Sequence, residues 1–151
     1  MFNEKEVVSV KKENCNAGGN GKVYFDYKLN TATKVLKNPK NKNSRLRFIE
    51  EMKILKAIKD KNIDNVVEIY TIDEENLKIK MKLYDDDMTK VYDTTKGNVR
   101  NTLELILPIV VALEKLSELE NPIYHRDLKP NNLLVERNGE EIKLVLADTY
   151  T

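Results

Sequence analysis

The sequence predicts an α+β fold: a five-stranded antiparallel sheet carrying one helix, then a longer helix, a polar loop and a β-hairpin. Three observations carry this prediction. Short runs in the first half alternate apolar and polar residues, as in Val8/Val10, Val23/Phe25/Tyr27 and Thr31–Leu36. Two stretches, 44–60 and 99–119, instead repeat apolar residues at three- and four-residue spacing. Clusters of Gly, Asn and Asp separate these runs at turn-length intervals.

Taken in order, Val8 and Val10 mark a first strand, and Gly18, Gly19 and Gly21 precede a second over Val23, Phe25 and Tyr27. Thr31–Leu36 is the third. Asn38-Pro39-Lys40-Asn41-Lys42-Asn43 is a loop by composition, after which Ser44 is placed to cap a helix. Phe48, Met52, Leu55 and Ile58 fall on one face of that helix. Strands are expected over 66–72 and 77–83, around a turn at Asp73-Glu74-Glu75-Asn76, and residues 84–89 read as an acidic connector. The helix over 99–119 carries Leu103, Ile106, Leu107, Val110, Leu113 and Leu116, with Pro108 expected to kink it. Leu133-Leu134-Val135 and Ile142–Leu146 flank Arg137-Asn138-Gly139, a hairpin by turn chemistry.

At 151 residues the chain is long enough for one domain with a real core. The balance of 26 basic and 25 acidic residues leaves a net charge of +1, so no overall field points to nucleic acid or a membrane surface. A single cysteine, Cys15, excludes an intramolecular disulfide and fits a reducing compartment. The N-terminus shows no secretory signal, and the longest apolar run, 105–113, contains Pro108 and falls short of a bilayer span. A cytoplasmic location is expected.

The chemistry is concentrated in His125-Arg126-Asp127-Leu128-Lys129-Pro130-Asn131-Asn132. Asp127 can accept a proton from a hydroxyl, Lys129 can neutralise a phosphoryl group in transfer, and Asn132 can ligate a metal beside phosphates. This octapeptide resembles the catalytic loop of the eukaryotic-type protein kinases, H-R-D-L-x-x-x-N. Lys129 followed by Pro130 is similar to the Ser/Thr-specific branch.

The resemblance implies a protein-kinase-like fold, with a small lobe over 1–84 and part of a large lobe over 85–151 in a single truncated domain. It also implies ATP and Mg²⁺ as cofactors. Asn16-Ala17-Gly18-Gly19-Asn20-Gly21-Lys22-Val23 resembles the phosphate loop G-x-G-x-x-G-x-V, with Asn16 in the first Gly position. Glycines there let backbone N–H groups approach phosphate oxygens. Val23 would cover the adenine. Thr31-Ala32-Thr33-Lys34 resembles V-A-I-K: Ala32 leaves room for adenine and Lys34 pairs the phosphates. Lys37 competes for that role because the interval from Val23 to Lys34 is short for the family. Lys34 needs an anionic partner from the next helix, and the register favours Glu51 over Glu50. Met81 would gate the adenine pocket, with backbone groups of Lys82 and Tyr84 bonding the base. Asp148, after the strand Leu144-Val145-Leu146, stands in place of the D-F-G aspartate and would chelate Mg²⁺.

Thr149 and Tyr150 replace the Phe and Gly of D-F-G, and the sequence stops at Thr151. No activation segment or A-P-E is present in the sequence, so the resemblance implies a minimal form, a form completed by a partner, or a fragment of a longer chain. The apolar stripe on the 99–119 helix then calls for a cover, either a protein partner or a second copy. The function expected is transfer of the γ-phosphoryl of Mg-ATP to a Ser/Thr hydroxyl. The alternatives are a nucleotide- or partner-binding module without turnover, and a small-molecule phosphotransferase, against which Lys129-Pro130 argues.

Overall fold

A computed structural model describes residues 15–18, 21–91 and 96–148. The candidate strand at Val8 and Val10, together with Gly19, Asn20, Thr149 and Tyr150, lies outside the described residues. By contact density the chain divides into two compact units, Met1–Met52 with Ile69–Leu83, and Lys53–Glu68 with Tyr84–Thr151.

The first unit is a five-stranded antiparallel sheet. Its strands are β1 (Cys15–Gly18), β2 (Gly21–Asp26), β3 (Thr31–Leu36), β4 (Ile69–Asp73) and β5 (Lys78–Lys82), in the order β1-β2-β3-β5-β4. Local chemistry fixes the turns. Asp26 Oδ1 accepts from the backbone N–H groups of Lys28 and Leu29, each at 3.0 Å, and Asn30 takes the left-handed conformation at φ 52. Asp73 Oδ1 likewise accepts from Asn76 N–H at 3.0 Å in the β4–β5 turn. Registry places Gly21 with Leu36, Val23 with Lys34 and Ile79, and Phe25 with Ala32 and Met81, in rows on one sheet face. That face holds the buried Ala32, Lys34, Leu36 and Ile79.

Helix α1 (Lys42–Lys59) begins two residues before the expected Ser44 cap. The cap is Asn41, whose side-chain oxygen accepts from Ser44 N–H at 3.0 Å while its carbonyl accepts from Arg45 N–H at 3.0 Å. Asn caps as well as Ser, and it comes first in the chain. Phe48, Met52, Leu55 and Ile58 are all buried, as their spacing predicts.

In the second unit, β6 (Asp86–Asp87), β7 (Leu133–Asn138) and β8 (Glu141–Leu146) form a three-stranded antiparallel sheet. Helix α2 (Val99–Ser117) packs on β8. Its cap is Asn98, which accepts from Asn101 N–H at 3.0 Å. Ile109, Ala112 and Leu116 are its buried residues, and Leu144, Val145 and Leu146 of β8 are buried as well. The opposite face of α2 exposes Val99, Leu103, Leu107 and Val110, so half of the apolar stripe read from the sequence is exposed, while Ile106 and Leu113 are half-buried and Leu116 is buried.

Other boundaries also differ from the sequence reading. Val66 does not begin β4; it makes a parallel bridge to Leu146, anchored by Val67 N–H to Leu146 O at 2.9 Å and Leu146 N–H to Asn65 O at 2.8 Å. Asn65 affords this kink by taking φ 61 and donating its amide to Leu144 O at 2.8 Å. The acidic connector is partly ordered as β6 and a 3-10 turn over Met88–Lys90, because Asp87 caps that turn by accepting from Thr89 N–H at 2.8 Å. The hairpin turn sits one residue later than expected, since Asn138 still pairs with Glu141 and Gly139 supplies φ 64 at the first turn position. Among the described residues no helix is long and apolar enough to cross a membrane.

Candidate active site

In the first unit the chemistry rests on a buried ion pair. Lys34 Nζ donates to Glu51 Oε1 at 2.6 Å, with side-chain exposures of 9% and 3%. Strand alternation turns Lys34 toward the helix-bearing face, beside Ala32 and Leu36. Helical phase does the same for Glu51, one residue before Met52 on the buried side, while Glu50 is exposed. Lys37 lies beyond the end of β3 and is exposed. With so little water around the pair, each charge depends on the other.

Ala32 is buried and sits opposite Met81, whose side chain is half-buried. Val23 is half-buried on the same face, and Lys82 projects from the other. Gly18 ends β1, paired with Gly21 at the start of β2.

In the second unit, residues 125–132 wind into a hydrogen-bonded knot. Arg126 takes φ 59, a conformation costly for a residue with a Cβ, and it is followed by Asp127 N–H donating to His125 O at 2.8 Å. Asp127 Oδ2 accepts from Lys129 Nζ at 2.6 Å and from Asn132 Nδ2 at 3.1 Å. The Lys129 hydrogen bond holds the Asp127 carboxyl below the usual carboxylate range; desolvation opposes it, and the Lys129 charge and the Asn132 hydrogen bond add to the lowering. Asp127 is therefore an ionised acceptor, and its side chain is 60% exposed and open to solvent.

Asn132 is 6% exposed, in a 3-10 turn over Pro130–Asn132. Its Nδ2 also donates to Asp127 O at 2.8 Å, so both acceptors it meets demand the amide nitrogen. Its Oδ1 is thereby turned away and has no hydrogen-bond partner among the described residues. Ala147 N–H donates to Asn132 O at 2.9 Å, which ties the loop to the residue before Asp148. Asp148 is exposed with φ 51. Among the described residues no group of three or more His, Cys, Asp or Glu is arranged to hold a metal. A Mg²⁺ site needs fewer protein oxygens, because this ion keeps water and phosphate ligands, and Asn132 Oδ1 with the Asp148 carboxylate fits that donor set.

His125 carries a role that residue-by-residue reading of the loop left unassigned. It is 4% exposed. Nε2–H donates to Ala147 O at 2.8 Å, and Nδ1 accepts from Asp127 N–H at 3.3 Å. A carbonyl can only accept and an N–H can only donate, so these contacts match the Nε2–H tautomer, with Asp127 N–H shared between His125 O and Nδ1. The imidazole thus connects the backbone of Asp127 to the residue preceding Asp148. The one signal in the sequence was that the only histidine of the chain opens the octapeptide. His125→Ala is expected to cost about 1–3 kcal/mol, the penalty for leaving a buried Ala147 carbonyl unpaired. Urea unfolding monitored by circular dichroism measures it.

A groove of about 300 Å³ in the second unit is lined by Asp64, Asn65, Leu107, Pro108, Val111 and Lys115. None of the loop residues 125–132 line it, so it is separate from this chemistry.

Comparison with known proteins gives these shapes a context. Residues 10–148 match the family model of the protein kinase domain. Cyclin-dependent kinase 7 of Dictyostelium discoideum is 30% identical over 105 residues, which is 66% of this chain and 27% of that protein. A probable serine/threonine-protein kinase of the same organism is 31% identical over 107 residues, 67% of this chain and 8% of that protein. The chain thus corresponds to about a quarter or less of the length of these relatives. Among solved structures, a double mutant of the PknI kinase domain of Mycobacterium tuberculosis superposes with a TM-score of 0.63 at 20% identity. That match covers 89% of this chain and 57% of the other, and it is a likeness of fold.

Proposed function

Because this chain belongs to the protein kinase domain family, we propose that it is an ATP-dependent protein kinase acting on Ser/Thr hydroxyls. The observation that carries the reading is the convergence of Lys129 and Asn132 on one oxygen of Asp127. Asp127 Oδ1 has no partner among the described residues and is the atom offered to the acceptor hydroxyl. Phosphoryl transfer asks little covalent work of a protein: it needs alignment, a proton acceptor and charge neutralisation.

Each role has a residue. Asp127 would orient the hydroxyl and take its proton as the new O–P bond forms, while the bond from the γ-phosphorus to the bridging oxygen breaks and ADP leaves. Lys129 fixes the Asp127 carboxylate and adds positive charge where the transferred group passes. Lys34, held by Glu51, would pair the α/β-phosphates, and the backbone at Gly18, Gly19 and Gly21 would approach the phosphates closely. Val23, Ala32, Met81 and the backbone of Lys82 and Tyr84 would line the adenine. Asn132 and Asp148 would hold Mg²⁺, which when bound neutralises the phosphates. Lys129-Pro130 supports the Ser/Thr branch.

Titration calorimetry with ATP tests the cofactor assignment. Mg²⁺ is expected to tighten binding in the wild-type chain and to lose most of that effect in Asp148→Asn. Equal affinity with and without Mg²⁺ removes the metal role given to Asn132 and Asp148.

The same reading includes a protein surface over the exposed face of α2, a partner or a second copy. Leu103 and Leu107 are 63% and 61% exposed, more than a solvated helix normally carries side by side. Sedimentation equilibrium should show association that Leu107→Lys abolishes. A monomer at all concentrations, with no partner retained, removes this part.

A further inference from the structure

Gly21 stands where the sequence calls for a phosphate-approaching glycine, but its surroundings ask for glycine on different grounds. It is buried, and its φ is not among the left-handed values of the chain, so the backbone conformation does not require glycine. Space does. A Cβ placed on Gly21 would lie 2.9 Å from Lys34 Cε, 3.0 Å from Lys34 Cγ and 3.3 Å from Val35 O.

The registry explains this closeness. Gly21 pairs with Leu36, and Lys34 is two residues back along β3, the diagonal neighbour on the same sheet face. The aliphatic stem of Lys34 therefore lies over the position where any other residue would have its side chain. A flexible lysine could normally swing away at little cost. This one cannot, because its Nζ is fixed 2.6 Å from Glu51 Oε1 in surroundings that admit almost no water. Displacing the stem means stretching or breaking the buried ion pair.

We infer that Gly21 is a positioning residue for Lys34: the missing side chain is the slot through which the lysine reaches Glu51. The meaning of this for phosphate binding rests on the kinase reading above, whereas the coupling between the two residues does not. It also separates two roles that one glycine could have. A glycine that serves close backbone approach to phosphate acts whether or not Lys34 is present. A glycine that makes room for Lys34 has a large effect only while that side chain is there.

The test is a double-mutant cycle on the full chain without nucleotide. Gly21→Ala is made in the wild type and in a background of Lys34→Ala with Glu51→Gln, where the second change avoids leaving a bare carboxylate buried. Melting temperature is the first readout. Gly21→Ala is expected to lower it clearly in the wild type and to have little effect in the background, where only the 3.3 Å contact with Val35 O remains. The second readout is the carbon NMR signal of the Lys34 ε-methylene, assigned by its loss in Lys34→Arg. It is expected to move more in Gly21→Ala than any other lysine signal.

An equal fall in melting temperature in both backgrounds, with the Lys34 signal unmoved, overturns the inference. So does a Gly21→Ala protein of unchanged stability and unchanged Lys34 signal that binds ATP more weakly, since that is the phosphate-approach role alone. Coupling and a moved Lys34 signal, with no ATP binding by any variant, support the positioning role while removing the kinase reading. If the background chain does not fold, Gly21→Ala is paired with Glu51→Gln alone. Releasing the Lys34 head is then expected to shrink the Gly21→Ala effect, and an undiminished effect contradicts the inference.

Discussion

Lys34→Met is expected to destabilise the chain by about 3–5 kcal/mol and to abolish ATP-dependent transfer, because it leaves the Glu51 carboxylate buried without its cation. Glu51 is 3% exposed and its side chain meets Lys34 Nζ at 2.6 Å, so little solvent remains to compensate. Lys37→Met, three positions on and exposed, should alter stability by no more than about 0.5 kcal/mol. The pair can be dissected further. Lys34→Met combined with Glu51→Leu removes both buried charges and should recover much of the lost stability, yet recover no activity. Guanidinium denaturation alongside a transfer assay separates the two effects. If Lys37→Met is instead the damaging change, the β3 lysine has been misassigned.

Asp127→Ala is expected to lower the transfer rate by about 10²–10⁴-fold, the range supplied by a positioned proton acceptor. Its melting temperature should stay near that of the wild type, since the Asp127 side chain is 60% exposed. The pH dependence gives an independent check. Lys129 depresses the folded-state pKa of Asp127 below the ordinary 3.8, so the working carboxylate persists as pH falls and is lost only below that value. Lys129→Met removes the principal cause of this depression. The acidic limb of its pH–rate profile should therefore move up toward the ordinary carboxylate value, at a lower plateau rate. An acidic limb that stays in place in Lys129→Met would show that another group controls it.

The sequence made the sheet legible because β2 and β3 satisfy period and turn chemistry together. Val23 and Phe25 alternate with polar residues, and Asp26 with Asn30 builds the turn. Helix α1 was legible on its buried face and not at its start, since Asn41 and Ser44 are both good caps and only the backbone decides between them. The bridge from Val66 to Leu146 could not be read locally: Val66 has strand propensity, but its partner is 80 residues away and Asn65 supplies the bend. At the loop, spacing identified Asp127, Lys129 and Asn132 as a group, because their residue types say what they can donate and accept. Spacing could not show that His125 reaches Ala147, since a tie between segments 22 residues apart exists only in the folded chain. Nor could it show that Gly21 lies against the stem of Lys34, which depends on strand register.

The measurement that tests the central claim most directly is transfer of radiolabelled γ-phosphate from ATP in the presence of Mg²⁺. The wild-type chain, Asp127→Asn and a buffer blank are incubated with a generic Ser/Thr protein acceptor. Label should appear on the acceptor or on the chain itself with the wild type, on serine or threonine after acid hydrolysis, and should fall to near the blank with Asp127→Asn. Folded wild-type protein that binds Mg-ATP and transfers no label, or transfers equally well as Asp127→Asn, would contradict the account.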